Sequence, residues 1–165
     1  MSKSSVVDID HGYKSFMANM KKLEGKPSVR IGFLEDKEAR TDGMVTNLEI
    51  AIFNEFGTRT APERSFMRSA FDENREKYGK LSEKFTLAIA AGKMTESRAL
   101  GLLAEICRDD VRKKLLSNVP PPNAESTIAA KGHDRTLVGG RVATATHTAE
   151  QGGQMSDALT WDYDR

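Results

Sequence analysis

Apolar residues at Tyr13, Phe16, Met17, Met20 and Leu23 recur at helical spacing and predict an amphipathic helix over residues 10–23, ended by Gly25 and Pro27. Over residues 28–34 the period changes to two. Val29, Ile31 and Phe33 alternate with Arg30 and Gly32, which predicts a strand with one apolar face. Residues 35–46 then hold Glu35, Asp36, Lys37, Glu38, Arg40 and Asp42 with almost no apolar anchor, the pattern of an exposed loop. Thr46 and Glu49 have the T-x-x-E spacing of a capping box, and Leu48, Ile52, Phe53 and Phe56 follow as one apolar stripe. A helix over residues 47–56 is expected, with Phe53 and Phe56 as core anchors and Gly57 closing it in a left-handed conformation.

Pro62 lacks a donor N–H and pushes Ala61 into an extended conformation, so residues 58–64 form a loop and Ser65-Phe66-Met67 opens a second helix. Its stripe of Phe66, Ala70, Phe71, Asn74, Tyr78, Leu81, Phe85, Ala88 and Ile89 marks one long helix running towards Gly92, with Gly79 as a candidate bend. Thr95 caps the next helix, whose stripe of Leu100, Leu103, Cys107, Val111 and Leu115 lasts until Asn118, where Pro120, Pro121 and Pro122 prevent continuation. The short turn Ala90-Ala91-Gly92-Lys93 makes this pair an antiparallel hairpin. From Asn123 onward Gly, Ala, Thr and His replace the amphipathic pattern. Leu137-Val138 and residues 158–163 keep the capacity for strand or core contact, with Trp161 as a core anchor, and residues 139–153 look like a flexible insertion. The expected architecture is a single α+β domain over residues 1–165. A small, mostly antiparallel sheet of residues 28–34 and the C-terminal strand 159–164 packs against helices, with a long helical hairpin.

Composition narrows function by exclusion. A length of 165 residues suits one domain. Lys+Arg 25 against Asp+Glu 24 leaves a formal charge of +1, so no global basic field exists to drive nonspecific nucleic-acid binding. The single cysteine, Cys107, can form no internal disulfide and fits folding in a reducing cytoplasm. Met1-Ser2-Lys3-Ser4-Ser5 lacks a secretory pattern and no uncharged apolar stretch reaches membrane-spanning length, so a soluble protein without membrane partners is expected.

Catalytic patterns are thin. His11, His133 and His147 have neither the spacing to Glu of a metalloprotease helix nor a cysteine pair beside them, so no metal ligands are assigned. His133-Asp134 has the types of an acid/base pair, but adjacent side chains point apart and a nuclease needs convergent carboxylates. Gly139-Gly140 and Gly152-Gly153 lack the spacing of a phosphate loop. Asp109-Asp110 followed by Arg112, Lys113 and Lys114 reads as a solvated face at a helix end. No catalytic residue and no cofactor is expected. Arg59, Arg64 and Arg68 differ in kind: they cluster around a loop that Phe66 anchors, and their guanidinium forks suit carboxylates.

Asn54-Glu55-Phe56-Gly57-Thr58, followed by Pro62, Arg64, Phe66, Met67 and Arg68, resembles the tail-completion and neck proteins of tailed bacteriophages. In those proteins a helix ending in N-E-[FY]-G-T leads into a P-x-R-x-F-[LM]-R loop. Ser65 stands where relatives often carry a second proline, which relaxes the loop without removing its anchor. Val29-Arg30-Ile31-Gly32-Phe33 resembles the family's preceding strand, and residues 121–132, from Pro121-Pro122 to Lys131-Gly132, resemble its P-x-x-S-T-x-x-x-K-G segment. The family's closing motif looks split between Leu137-Val138 and residues 153–160 by an insertion.

The resemblance implies a non-enzymatic virion protein, made in the host bacterial cytoplasm, that forms a homo-oligomeric ring, expected to be hexameric, at the head–tail junction. Tail tube protein and head connector are the implied partners. Glu55, Arg59, Arg64, Phe66 and Arg68 become interface candidates, through ion pairs between or within subunits. Arginines facing a lumen meet DNA phosphates without reading sequence. A head-side connector or stopper ring, dodecameric to match a portal, and a nucleic-acid-processing protein of a mobile element are the alternatives.

Overall fold

A computed structural model describes residues 10–25, 27–34, 45–138 and 153–164. The proposed insertion over residues 139–152 lies outside the described residues, as do the charged loop 35–44 and His147. The described elements are α1 (Tyr13–Lys22), a 3-10 turn (Leu23–Gly25), β1 (Ser28–Phe33), α2 (Asn47–Phe56), α3 (Met67–Glu73), α4 (Arg75–Ala90), α5 (Glu96–Leu116), α6 (Glu125–Lys131), α7 (Gln154–Ala158) and β2 (Leu159–Asp164). The architecture is α+β: β1 and β2 form a small antiparallel sheet, from Ser28 opposite Asp164 to Phe33 opposite Leu159, packed on helices.

The register puts Val29, Ile31 and Phe33 opposite Tyr163, Trp161 and Leu159, so the alternating apolar positions of both strands share one face. That face lies along α5. Tyr163 Oη donates to the Ser97 carbonyl at 2.8 Å, and Trp161 meets Tyr163 edge to face with centroids 5.4 Å apart. Gly101 leaves room for this close approach: a Cβ there would stand 3.2 Å from Tyr163 Oη and 3.4 Å from the Trp161 ring, so both side chains would have to shift slightly. Trp161 is half-buried in this contact.

α4 and α5 form the predicted antiparallel hairpin, and the principal core gathers at the end of it where α5 finishes. Phe33, Ala51, Phe66, Ala70, Val111, Leu115, Val119, Leu137, Met155, Ala158 and Leu159 are buried there in one cluster. Leu137-Val138 is buried as its sequence suggested. The opposite end of the hairpin is thinner. There the Asn19 amide of α1 lies against Gly92 beyond α4, and no residue of α1 is buried.

Three features depart from the pattern-based reading. The helix after Phe66 breaks at Asn74, not at Gly79, which sits inside an unbroken α4. Asn74 has φ −104° and ψ 8°, and its side chain donates to the Ala70 carbonyl at 2.8 Å, a local bond that competes with helix continuation. α6 and α7, each under two turns or close to it, interrupt stretches that lack amphipathic periodicity; Gly132 closes α6 at φ 78°.

The third departure concerns α2. Its capping box is present, with Thr46 accepting from Glu49 N and Glu49 accepting from Thr46 N. Its buried face, however, is Asn47, Ala51 and Glu55, while Phe53 is 47% exposed and Phe56 is 63% exposed. Phe53 and Phe56 are therefore not core anchors. Small Ala51 lets α2 approach α7, and Glu55 is committed to α3, so the aromatic side of the helix is turned outward.

Candidate functional site

The N-E-F-G-T and P-E-R-S-F-M-R segments meet in one hydrogen-bonded clasp. α3 begins without a side-chain cap of its own at Phe66, leaving its first N–H groups without intrahelical acceptors. Glu55, at the end of α2 and 6% exposed, supplies the missing acceptors. Its carboxylate accepts from Met67 N at 2.9 Å, Arg68 N at 3.0 Å, Ser65 Oγ at 2.8 Å and Arg68 Nε at 3.0 Å. A negative charge at a helix N-terminus also complements the macrodipole. Burial pushes the Glu55 carboxyl up, but the amides of Arg68 and Met67, the Ser65 hydroxyl and the Arg68 guanidinium outweigh it and hold the group below its ordinary value.

Arg68 closes the clasp from outside. Its Nη2 donates to the Glu55 carbonyl at 2.9 Å and to Glu63 Oε1 at 2.7 Å, and its guanidinium lies 5.0 Å above the centre of the Phe56 ring. The intervening loop is held by Arg64 N donating to the Asn54 carbonyl at 2.7 Å and Thr58 N to the Ala61 carbonyl at 2.8 Å. Gly57 makes this turn at φ 74° and ψ 173°, a region almost reserved for glycine, and a Cβ there would stand 2.8 Å from Glu63 N. Gly57→Ala is therefore expected to destabilise the fold by about 1–3 kcal/mol from backbone strain, with a further cost from displacing Glu63. Urea unfolding measures it, and an unchanged midpoint would mean that the loop does not need this conformation.

The five interface candidates part company here. Glu55 and Arg68 pair within the chain. Arg64 is buried, donating from Nε to the Pro121 carbonyl at 2.8 Å and from Nη2 to the Pro122 carbonyl at 3.3 Å, so it ties the P-E-R loop to the segment before α6 and is not available to a neighbour. Phe66 is 1% exposed, meets Phe33 edge on at 6.5 Å and belongs to the core, not to a surface. Arg59 is exposed in the loop.

Sequence reasoning missed a second polar cluster, between α4 and α5. Asp110 was assigned to a solvated face, but it is buried: Lys77 Nζ pairs with its carboxylate and Tyr78 Oη donates to it at 3.1 Å. Desolvation pushes the Tyr78 hydroxyl strongly up, with Cys107 and Asp110 adding to the shift, and burial likewise raises the Cys107 thiol. The signal was available in the spacing, since Asp110 follows Cys107 by one turn and sits beside Val111 on the buried stripe. A thiol so placed is a poor nucleophile, and the cluster joins two helices.

Asp134 Oδ2 accepts from Asn118 Nδ2 at 3.1 Å, at the rim of a cleft of about 150 Å³ lined by Val119, Pro120, Pro122 and Thr136. That volume is below the roughly 300–1,000 Å³ of common ligand pockets. Among the described residues, no group of three or more His, Cys, Asp or Glu side chains gathers to hold a metal, and no helix is long and apolar enough to cross a membrane.

What the surface offers instead is apolar. Ile52, Phe53 and Phe56 of α2, with Val45 before it, form one exposed strip, and Tyr13, Phe16 and Met17 of α1 form another. Compared with family models, with curated proteins and with solved structures, the chain matches none of them.

Proposed function

We propose that this chain is a non-enzymatic structural subunit of a tailed-phage virion, forming a ring at the head–tail junction that completes the tail tube and offers the head connector a docking surface. The observation that carries this reading is the joined motif, N-E-F-G-T followed by P-E-R-S-F-M-R, whose residues are used together in one clasp. A motif consumed by structure suits a protein that works by presenting surfaces. With Arg64 and Arg68 engaged internally, Arg59 is the member of the arginine trio left for DNA phosphates in a lumen, where it adds attraction without sequence preference. The subunit is made in the host bacterial cytoplasm and ends in the virion. Ring closure follows from contacts between unlike patches related by a rotation.

The test is the mass of the purified protein by light scattering coupled to size exclusion, with negative-stain imaging, alone and mixed with tail tubes. The expected result is a hexameric ring, free or seated on one end of a tube. A dodecameric ring moves the protein to the head side of the junction. Failure to bind either tubes or connector-bearing heads removes the reading.

A further inference from the structure

We infer that the exposed strip of α1 in one copy docks head to tail on the exposed strip of α2 in the next. Such docking presupposes the ring reading above and names the surfaces that build it. α1 has only ten residues, and isolated helices shorter than about 12–15 residues are marginal in water. Within its own chain it lies mainly against α4, with Asn19 and Met20 half-buried, while Tyr13 stays 69% exposed and Phe16 and Met17 are exposed beside it. The first part of the stripe that makes α1 amphipathic, Tyr13, Phe16 and Met17, thus stays uncovered. The α2 strip is in the same position, with Ile52, Phe53 and Phe56 turned outward because Ala51 and Glu55 take the inner face.

The two strips do not cover each other within one molecule. α1 sits beside Gly92, past the C-terminal end of α4, whereas α2 is clasped to the start of α3, which leads into the other end of α4. Tyr13, Phe16, Met17, Ile52, Phe53 and Phe56 are all exposed, so neither strip is covered by the other. Two different apolar patches on one chain make a heterologous contact, which repeats from copy to copy and closes when the rotation allows.

Charge selects this pairing over like-to-like contacts. α1 carries Lys14, Lys21 and Lys22 and no acid within its own span, with Asp10 before it and Glu24 after it, so three cations against two acids leave this segment at +1. α2 contains no Lys or Arg. Its strip is flanked by exposed Glu49 at one end and, beside Phe56, by the Glu55–Glu63–Arg68 group, whose two carboxylates and one guanidinium leave a net charge of −1. Lys14 and Lys21 lie about 10 Å apart along α1, the same spacing as Glu49 and Phe56 along α2. An α1–α1 contact would oppose two net-positive segments, and an α2–α2 contact two net-negative rims. The heterologous contact pairs them with opposite charges around an apolar centre.

Two variants decide the matter. Phe16→Asp with Met17→Asp blocks the α1 strip, and Phe53→Asp blocks the α2 strip; all three positions are exposed, and circular dichroism checks that each variant is folded. In sedimentation velocity, with tail tubes added if the wild type assembles only on them, each variant alone is expected to stay monomeric. Mixed one to one, they should form a heterodimer and nothing larger, because each retains the face the other lacks. Wild-type rings that persist in either variant, or self-pairing of either variant alone, overturn the contact but leave the ring. A wild type that assembles under no condition overturns both.

Discussion

Phe66→Ala is expected to lower the unfolding free energy by about 4 kcal/mol, the largest single-residue loss in this chain. The side chain is 1% exposed and edge-packed on Phe33, and its neighbours in the core include Leu115 and Val111, themselves nearly or fully buried. Truncation removes the transfer energy of a benzyl group and leaves a cavity that α3 cannot collapse into, because the start of α3 is pinned by Glu55. Urea unfolding followed by circular dichroism measures the loss, with the midpoint shifting and the slope little changed. The same experiment separates the core role from the interface role that the motif alone suggested. A variant that keeps wild-type stability and loses only ring formation would overturn the core assignment.

Glu55→Ala is expected to cost about 3 kcal/mol, because it strips acceptors from the Met67 and Arg68 amides and from the Ser65 hydroxyl at a partly buried site. Glu55→Gln keeps the shape but loses the charge, so its cost should be smaller and should depend on pH. In the folded chain the Glu55 carboxyl lies below its ordinary value, so its contribution is complete above the unfolded glutamate value of about 4.3 and is lost as the pH falls through the lower folded value. Wild type should therefore lose its advantage over Glu55→Gln in acid, the two stability profiles converging below about pH 4.3. Parallel profiles across that range would show that the carboxylate does not act as the charged cap of α3. Because Arg64 and Arg68 are held by the same clasp, Glu55→Ala should also loosen the tie between the P-E-R loop and Pro121-Pro122, and proteolysis in residues 58–65 is expected to rise.

Much of the fold was legible because the signals are local. The capping box at Thr46, the alternation of residues 28–33, the cap at Thr95 and the prolines after Asn118 each act within one or two turns of chain, and each element they predict is present. The clasp was legible only as a motif. Its spacing marked a helix stop, a loop and a helix start, but nothing in the spacing says that a carboxylate at the end of one helix will cap the next.

What the tertiary structure alone decided is which side of each amphipathic segment is used. α2 presents a stripe of Ile52, Phe53 and Phe56 that pattern assigns to the core, yet the fold buries Asn47, Ala51 and Glu55 instead. Asp110, in a run of charges, is drawn inside by Lys77 and Tyr78. The physical reason is common to both. Periodicity states that a helix has an apolar face, but the partner that covers a face is set by contacts distant in sequence, and a polar group enters the interior when such a contact supplies its hydrogen bonds. By itself the sequence determined where the helices and strands begin and end to within a few residues, except where Asn74 breaks a helix and where α6 and α7 are short. The tertiary structure decided that the strongest motif holds the chain together and that the aromatic side of α2 remains outside, because with Glu55 turned to the amides of α3 the opposite side of the helix is left uncovered.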